Sequence, residues 1–143
     1  MIVSSPASAT GHFPHESGKV GDWFWKDVEG FYTAHVLGQR RPGEMFVVFC
    51  NDPNSRGSVA FRAGVKASQV GEKRLSLRFE NGTSIDVIAD YGRVSAKTST
   101  GQQIIGNVMR QLRSAGRVEV IQAGAPIARY SLKGSTAALK RCP

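Results

Sequence analysis

Long apolar runs are missing from this sequence. The longest clear one, Met45 to Cys50, falls far short of the roughly eighteen apolar residues that cross a bilayer, which excludes a membrane-spanning helix. The opening Met1-Ile2-Val3-Ser4-Ser5 has neither a basic head nor a hydrophobic signal segment, so no intact export signal is present, although Ala7-Ser8-Ala9 looks like the small-residue end of one. A remnant of processing and a plain cytoplasmic start are the two readings. The 16 glycines are scattered and none gives the spacing of a phosphate-binding loop, so nucleotide binding has no support. Internal repeats are absent. Carboxylates are outnumbered, 11 against 19 lysines and arginines, for a formal charge of +8 and a sequence pI near 10. That balance favours acidic partners: nucleic acid, anionic lipid headgroups, lipopolysaccharide or acidic proteins.

Only two cysteines occur, Cys50 at the end of an apolar strand pattern and Cys142 near the last residue. A bond between them ties down the C-terminal tail and closes a loop of roughly 90 residues, which stabilises by up to about 4.5 kcal/mol in the chain-entropy model. It also implies an oxidising compartment. The alternative is two unrelated thiols, one buried and one on a tail.

What is present suits one globular domain: 143 residues, 41% of them hydrophobic and 21% charged, enough for a single sizeable core. Residues 1–19 hold serine, glycine, proline and histidine without period and read as a flexible arm. Residues 20–143 read as a single β-rich domain. It opens at Val20-Gly21-Asp22-Trp23-Phe24-Trp25, where the two tryptophans share one side of a strand. Short β segments follow at Phe31–Leu37, Met45–Cys50 and Val59–Arg62, separated by turn residues. The strongest hairpin signal is Arg74 to Glu80, then Asn81-Gly82, then Thr83 to Ala89, since Asn-Gly suits a two-residue type I′ turn. Leu75, Leu77 and Phe79 then face inward and Arg74, Ser76, Arg78 and Glu80 face water.

The spacing of Ile104, Ile105, Val108, Met109 and Leu112 predicts an amphipathic helix over about 100–115, capped by Ser99 or Thr100 with a following glutamine in capping-box position, and ended by a left-handed Gly116. Strands at Arg117–Gln122 and Ile127–Leu132 and a last helical turn over Ser135–Arg141 complete the chain. The fold class is mostly β, an antiparallel β-sandwich or curved sheet of seven to nine strands with one main helix.

No catalytic or metal site emerges. His12, His15 and Glu16 sit around Pro14 without helical spacing, unlike a zinc-protease motif. His35 lies in a strand and reads as half-buried; a dyad with Cys50 needs a third, orienting group that the sequence does not show. Asp86 and Asp90, with Glu80 nearby, read as hairpin and turn residues rather than paired acids. No cofactor is implied. The arginines are the candidate binding groups: Arg74, Arg78, Arg93, Arg110, Arg113 and Arg117, with Arg40, Arg41, Lys73 and Lys97 as further basic residues; several alternate with core positions and so share an outward side of the sheet or helix.

The closing segment Tyr130-Ser131-Leu132-Lys133-Gly134-Ser135-Thr136-Ala137-Ala138-Leu139 resembles that of the invasion-associated locus B family of exported proteins from Gram-negative bacteria. The opening Gly21-Asp22-Trp23, the helix near residue 105 and the hairpin after it fit that family's order of parts, so the likeness spans about residues 21–142. The family's cysteine after the tryptophan and its cysteine pair before the helix have no counterpart in Lys26–Glu29 and Arg93–Thr98. The resemblance implies a periplasmic or surface β-sandwich without catalytic activity, associated with the envelope or with virulence.

The expectation is therefore a non-enzymatic, exported interaction protein, periplasmic or secreted, that recognises an acidic or protein surface. The rivals are an intracellular basic protein of a phage or plasmid that binds nucleic acid or blocks a nucleic-acid-binding partner, with a cytoplasmic location, and a small hydrolase with an unrecognised site.

Overall fold

The structure, a computed structural model, describes residues 15–40, 44–64, 71–114 and 116–143. Among them the chain order is β1 (His15–Val20), β2 (Trp23–Val28), β3 (Phe31–Leu37), β4 (Met45–Phe49), β5 (Ala60–Ala63), β6 (Glu72–Phe79), β7 (Ser84–Asp90), β8 (Val94–Ser95), α1 (Ser99–Leu112), β9 (Arg117–Gln122), β10 (Ala125–Ser131) and α2 (Ser135–Ala138). The strands form two antiparallel sheets, ordered β1-β2-β3-β4-β5-β8 and β10-β9-β6-β7. Mostly-β architecture with one main helix is what the alternating sequence predicts.

One core lies between the sheets. Strand alternation sends Trp23, Ala34, Val36, Phe46, Val48 and Phe61 inward from the first sheet, and Leu75, Leu77, Phe79, Val118, Val120 and Tyr130 from the second. Phe46 joins the two halves, edge-on to Trp23 (6.4 Å between ring centroids) and to Tyr130 (5.5 Å). Helix α1 adds Ile105, Val108, Met109 and Leu112 to this core. The sheets are linked where β7 turns at Tyr91-Gly92 into β8, which pairs in the other sheet.

The two ends of the domain are clasped together. Asp22 N donates to Lys133 O (2.9 Å), the buried Trp23 Nε1 donates to Ser131 O (2.9 Å), and Ser131 Oγ donates to Asp22 Oδ2 (2.6 Å). Gly134 has φ +91° and its α-carbon lies against the Val20 carbonyl, where a Cβ has no room. The opening Gly21-Asp22-Trp23 and the closing Ser131-Leu132-Lys133-Gly134 are thus parts of one contact. Cys50 and Cys142 form a disulfide across 92 residues, with their Cα atoms 4.9 Å apart. Arg113 holds the same tail by donating to Leu139 O (3.0 Å) and Cys142 O (3.1 Å).

Several local expectations are corrected. Strand β1 starts at His15, inside the stretch 1–19 assigned to an arm, and pairs with β2 over its full length; residues 1–14 lie outside the described residues. Asn81-Gly82 does not form a type I′ turn, since of the pair only Gly82 has positive φ (93°). Gly82 N instead closes a turn onto Phe79 O (2.9 Å), and Phe79 N reaches Thr83 O (2.8 Å), a longer hairpin loop with a left-handed glycine. Thr98, not Ser99 or Thr100, caps α1 by accepting from Gly101 N (3.0 Å), and Gln102 turns outward to accept from Arg56 Nε. The helix ends at Leu112 with Arg113 as a right-handed cap, and Gly116 is not left-handed.

Candidate binding face

The six arginines singled out by sequence do not gather on one surface. Arg74, Arg78 and Arg117 lie on the outer face of the second sheet, Arg93 on the β7–β8 turn, and Arg110 and Arg113 on α1. The outer face of the second sheet is charge-balanced: Arg129 meets Glu119 at 3.1 Å with Arg78 at 4.0 Å from the same carboxylate, and Arg117 meets Glu80 at 3.2 Å. Glu72, Asp86 and Asp90 stand among the same outward positions. Arg110 bonds Asn107 (2.7 Å) and Arg113 is occupied with the tail.

The first sheet presents a different outer face. Tyr32, Ala34 and Val36 point into the core, so their neighbours Phe31, Thr33, His35 and Leu37 point out, and the register carries that side across the sheet. One outward row reads Lys19, Phe24, His35, Val47, Arg62; the next reads Ser17, Lys26, Thr33, Phe49, Ala60. Leu37 and Met45 pair at one end of the face, and Val28 and Phe31 at the other. Phe31, Leu37 and Met45 are 60%, 47% and 43% exposed, high for large apolar side chains. No outward strand position among the described residues carries a carboxylate, and Lys19, Lys26 and Arg62 have no ion-pair partner among them.

Two aromatic rings of this face, Phe24 and Phe49, are already in contact with nearby side chains. The Phe24 ring stacks on His35 (5.1 Å, 13° between planes) and carries the Lys19 ammonium 5.2 Å from its centroid. The Arg93 guanidinium lies 4.0 Å from the Phe49 centroid while Nη2 pairs with Asp52 Oδ2 at 3.0 Å. Arg93 is therefore the predicted binding residue that reaches this face. Burial, and next the charge of Lys26, hold the His35 imidazole below its usual pKa. Sequence reasoning passed over Lys19, Phe24, Lys26 and Arg62. The available signal was the near-continuous apolar character of β3 and β4, which marks strands covered or contacted on both faces rather than one.

The weighed catalytic and metal candidates are dispersed. Cys50 is committed to the disulfide, and His35 is on the outer face. Asp86 and Asp90, four residues apart on β7, are separated by about 14 Å along a strand, beyond the range of paired-carboxylate hydrolysis. With Glu72, Arg74 and Lys97 they line a cleft of about 410 Å³ floored by Ile104 and Ile105 beside the start of α1. His12 lies outside the described residues, and Glu16 faces Arg141 at 3.9 Å. Among the described residues no group of three or more His, Cys, Asp or Glu is placed to hold a metal ion, and no helix is long and apolar enough to cross a membrane.

No curated protein and no solved structure matches the chain. The model of the YfjT family matches residues 21–139. The match runs from the glycine of the opening clasp to the last buried leucine, and the chain belongs to the YfjT family.

Proposed function

We propose that the chain is a non-enzymatic binding protein of the periplasm or the extracellular space that recognises an acidic partner through the outer face of its first sheet. The observation that carries this reading is the make-up of that face: Lys19, Lys26 and Arg62 set among Phe24, Phe31, Leu37, Met45, Val47 and Phe49, with no carboxylate at an outward strand position among the described residues. Unpaired cations attract an anionic partner over distance, and contact then removes the apolar side chains from water. The Cys50–Cys142 bond and the resemblance to the exported invasion-associated locus B proteins support the location, since disulfides persist in oxidising compartments.

The test is retention on an immobilised polyanion such as heparin. The variant Lys19→Glu/Lys26→Glu/Arg62→Glu is compared with Lys97→Glu/Lys133→Glu/Lys140→Glu, which changes net charge equally at exposed lysines elsewhere. The face variant is expected to elute at clearly lower salt; equal elution of the two removes the reading. Titration of thiols in protein purified without reductant is expected to find none, and two free thiols would remove the exported location.

A further inference from the structure

We infer that the outer face of the first sheet docks on the surface of an anionic phospholipid bilayer, with Phe31, Leu37 and Met45 entering the boundary between headgroups and acyl chains and Lys19, Lys26 and Arg62 lying at the level of the phosphates. The inference rests on the binding face proposed above and names its partner.

Four observations select a lipid surface. The first concerns a second copy of this chain: face-to-face pairing would bring together two sets of cations that have no ion-pair partner among the described residues, with no carboxylate at the outward strand positions described, so like charge opposes it. The second concerns nucleic acid. Successive bases need successive open rings, but Phe24 is stacked on His35 under Lys19 and Phe49 lies under Arg93, which leaves Phe31 alone as an open ring at one end of the face. The third concerns a protein partner. Phe31 and Leu37 stand about 20 Å apart on β3, so the face spans a few hundred Å², over which a protein interface places about one directional hydrogen bond per 100–200 Å². Apart from the cations, the outward positions of β1 to β3 from Ser17 on offer Ser17, Thr33 and His35, with Ser95 at the far edge on β8; Thr33 Oγ1 is buried without a partner among the described residues and the His35 ring lies flat on Phe24. Charge and apolar contact are what remain, and those are what a headgroup layer reads. The fourth is arrangement: the face is one side of a sheet, with its exposed apolar groups at both ends of β3 and the cations between and beside them, so that both kinds of group are presented to the same side.

The full oxidised chain is mixed with vesicles of phosphatidylglycerol and phosphatidylcholine in equal parts, or of phosphatidylcholine alone, and sedimented. Binding is expected to the first and not to the second, and to weaken with added salt. Lys19→Gln/Lys26→Gln/Arg62→Gln is expected to weaken it about 100-fold, roughly fivefold for each charge removed near the anionic surface. Phe31→Ser/Leu37→Ser/Met45→Ser is expected to weaken it at least about tenfold at unchanged charge. Lys97→Gln/Lys133→Gln/Lys140→Gln is expected to fall clearly less than the face variants. A melting curve for each variant confirms folding, and Lys19→Gln/Lys26→Gln serves if the Arg62 change unfolds the chain.

No sedimentation with anionic vesicles overturns the inference, as does equal weakening by the control variant or tighter binding to single-stranded oligothymidylate than to vesicles. If vesicles fail while the heparin comparison still separates face from control, the binding face stands and its lipid partner falls. If neither separates them, both fall.

Discussion

The imidazole of His35 couples the outer face to pH. Its pKa is held below 6.5 by burial and by Lys26, so between that lowered value and 6.5 the unfolded chain binds the proton more readily than the fold does. The contribution of His35 to stability is therefore complete above about pH 6.5 and is lost as the pH falls through that window. Melting temperatures at pH 7.5 and pH 5 should drop further for the wild type than for His35→Gln, and equal drops would contradict this. Trp23 is a second residue with a definite role, fully buried and bonded through Nε1 to Ser131 O. Trp23→Phe should cost about 2–4 kcal/mol in a denaturant titration, from the cavity and from a buried carbonyl left without its donor. Gly134→Ala should cost roughly 2–4 kcal/mol, because the position combines positive φ with contact against the Val20 carbonyl. The tryptophan's burial was legible from its alternation with Trp25. Its hydrogen-bond partner 108 residues away was not, because no local pattern records which strands meet.

Elements were readable where burial is one-sided. Strand β6 shows Leu75, Leu77 and Phe79 against Arg74, Ser76 and Arg78, and its pairing follows that alternation. Helix α1 was equally plain from its apolar stripe, and β3 and β9 match the sequence bounds residue for residue. The elements missed are those without a periodic signal: β1, which is mostly polar and paired along one edge, and β8, two residues long. Turn chemistry misled at Asn81-Gly82, where the side-chain amide oxygen of Asn81 accepts from Thr83 N and Asn81 Nδ2 donates to Gln111 on α1. The type I′ geometry occurs instead at Glu29-Gly30, Tyr91-Gly92 and Ala123-Gly124, each with positive φ at both residues. A tertiary contact outweighed the local preference of Asn-Gly. Thr98 carries a testable role here: Thr98→Ala removes the acceptor for Gly101 N and should destabilise by about 1 kcal/mol, read as a shifted denaturant midpoint.

At the scale of the whole molecule, the sign of the charge was legible and its placement was not. Counting shows an excess of cations, but three of the six arginines most visible in the sequence, Arg78, Arg93 and Arg117, are matched by Glu119, Asp52 and Glu80 once the sheets assemble. Three cations without an ion-pair partner among the described residues, Lys19, Lys26 and Arg62, sit on the sheet whose strands looked like plain core. The disulfide joins the end of β4 to the C-terminal tail. Reduction, or Cys50→Ser/Cys142→Ser, should cost about 2–5 kcal/mol and lower the melting point by about 10 °C; an unchanged melting curve would show that the tail is held by Arg113 and α2 alone.

The bond between Cys50 and Cys142 also gives the covalent chain an unusual outline. Strands β5 to β10 and both helices lie inside the ring it closes, while β1 to β4 form a single strand leading into it. An oxidised, unfolded chain is accordingly a lasso. A protease cut anywhere in the noose leaves both pieces joined on a denaturing gel until reductant is added, whereas a cut ahead of Cys50 sheds a fragment at once. The same gel, run with and without reductant, therefore reports which half of the molecule opens first.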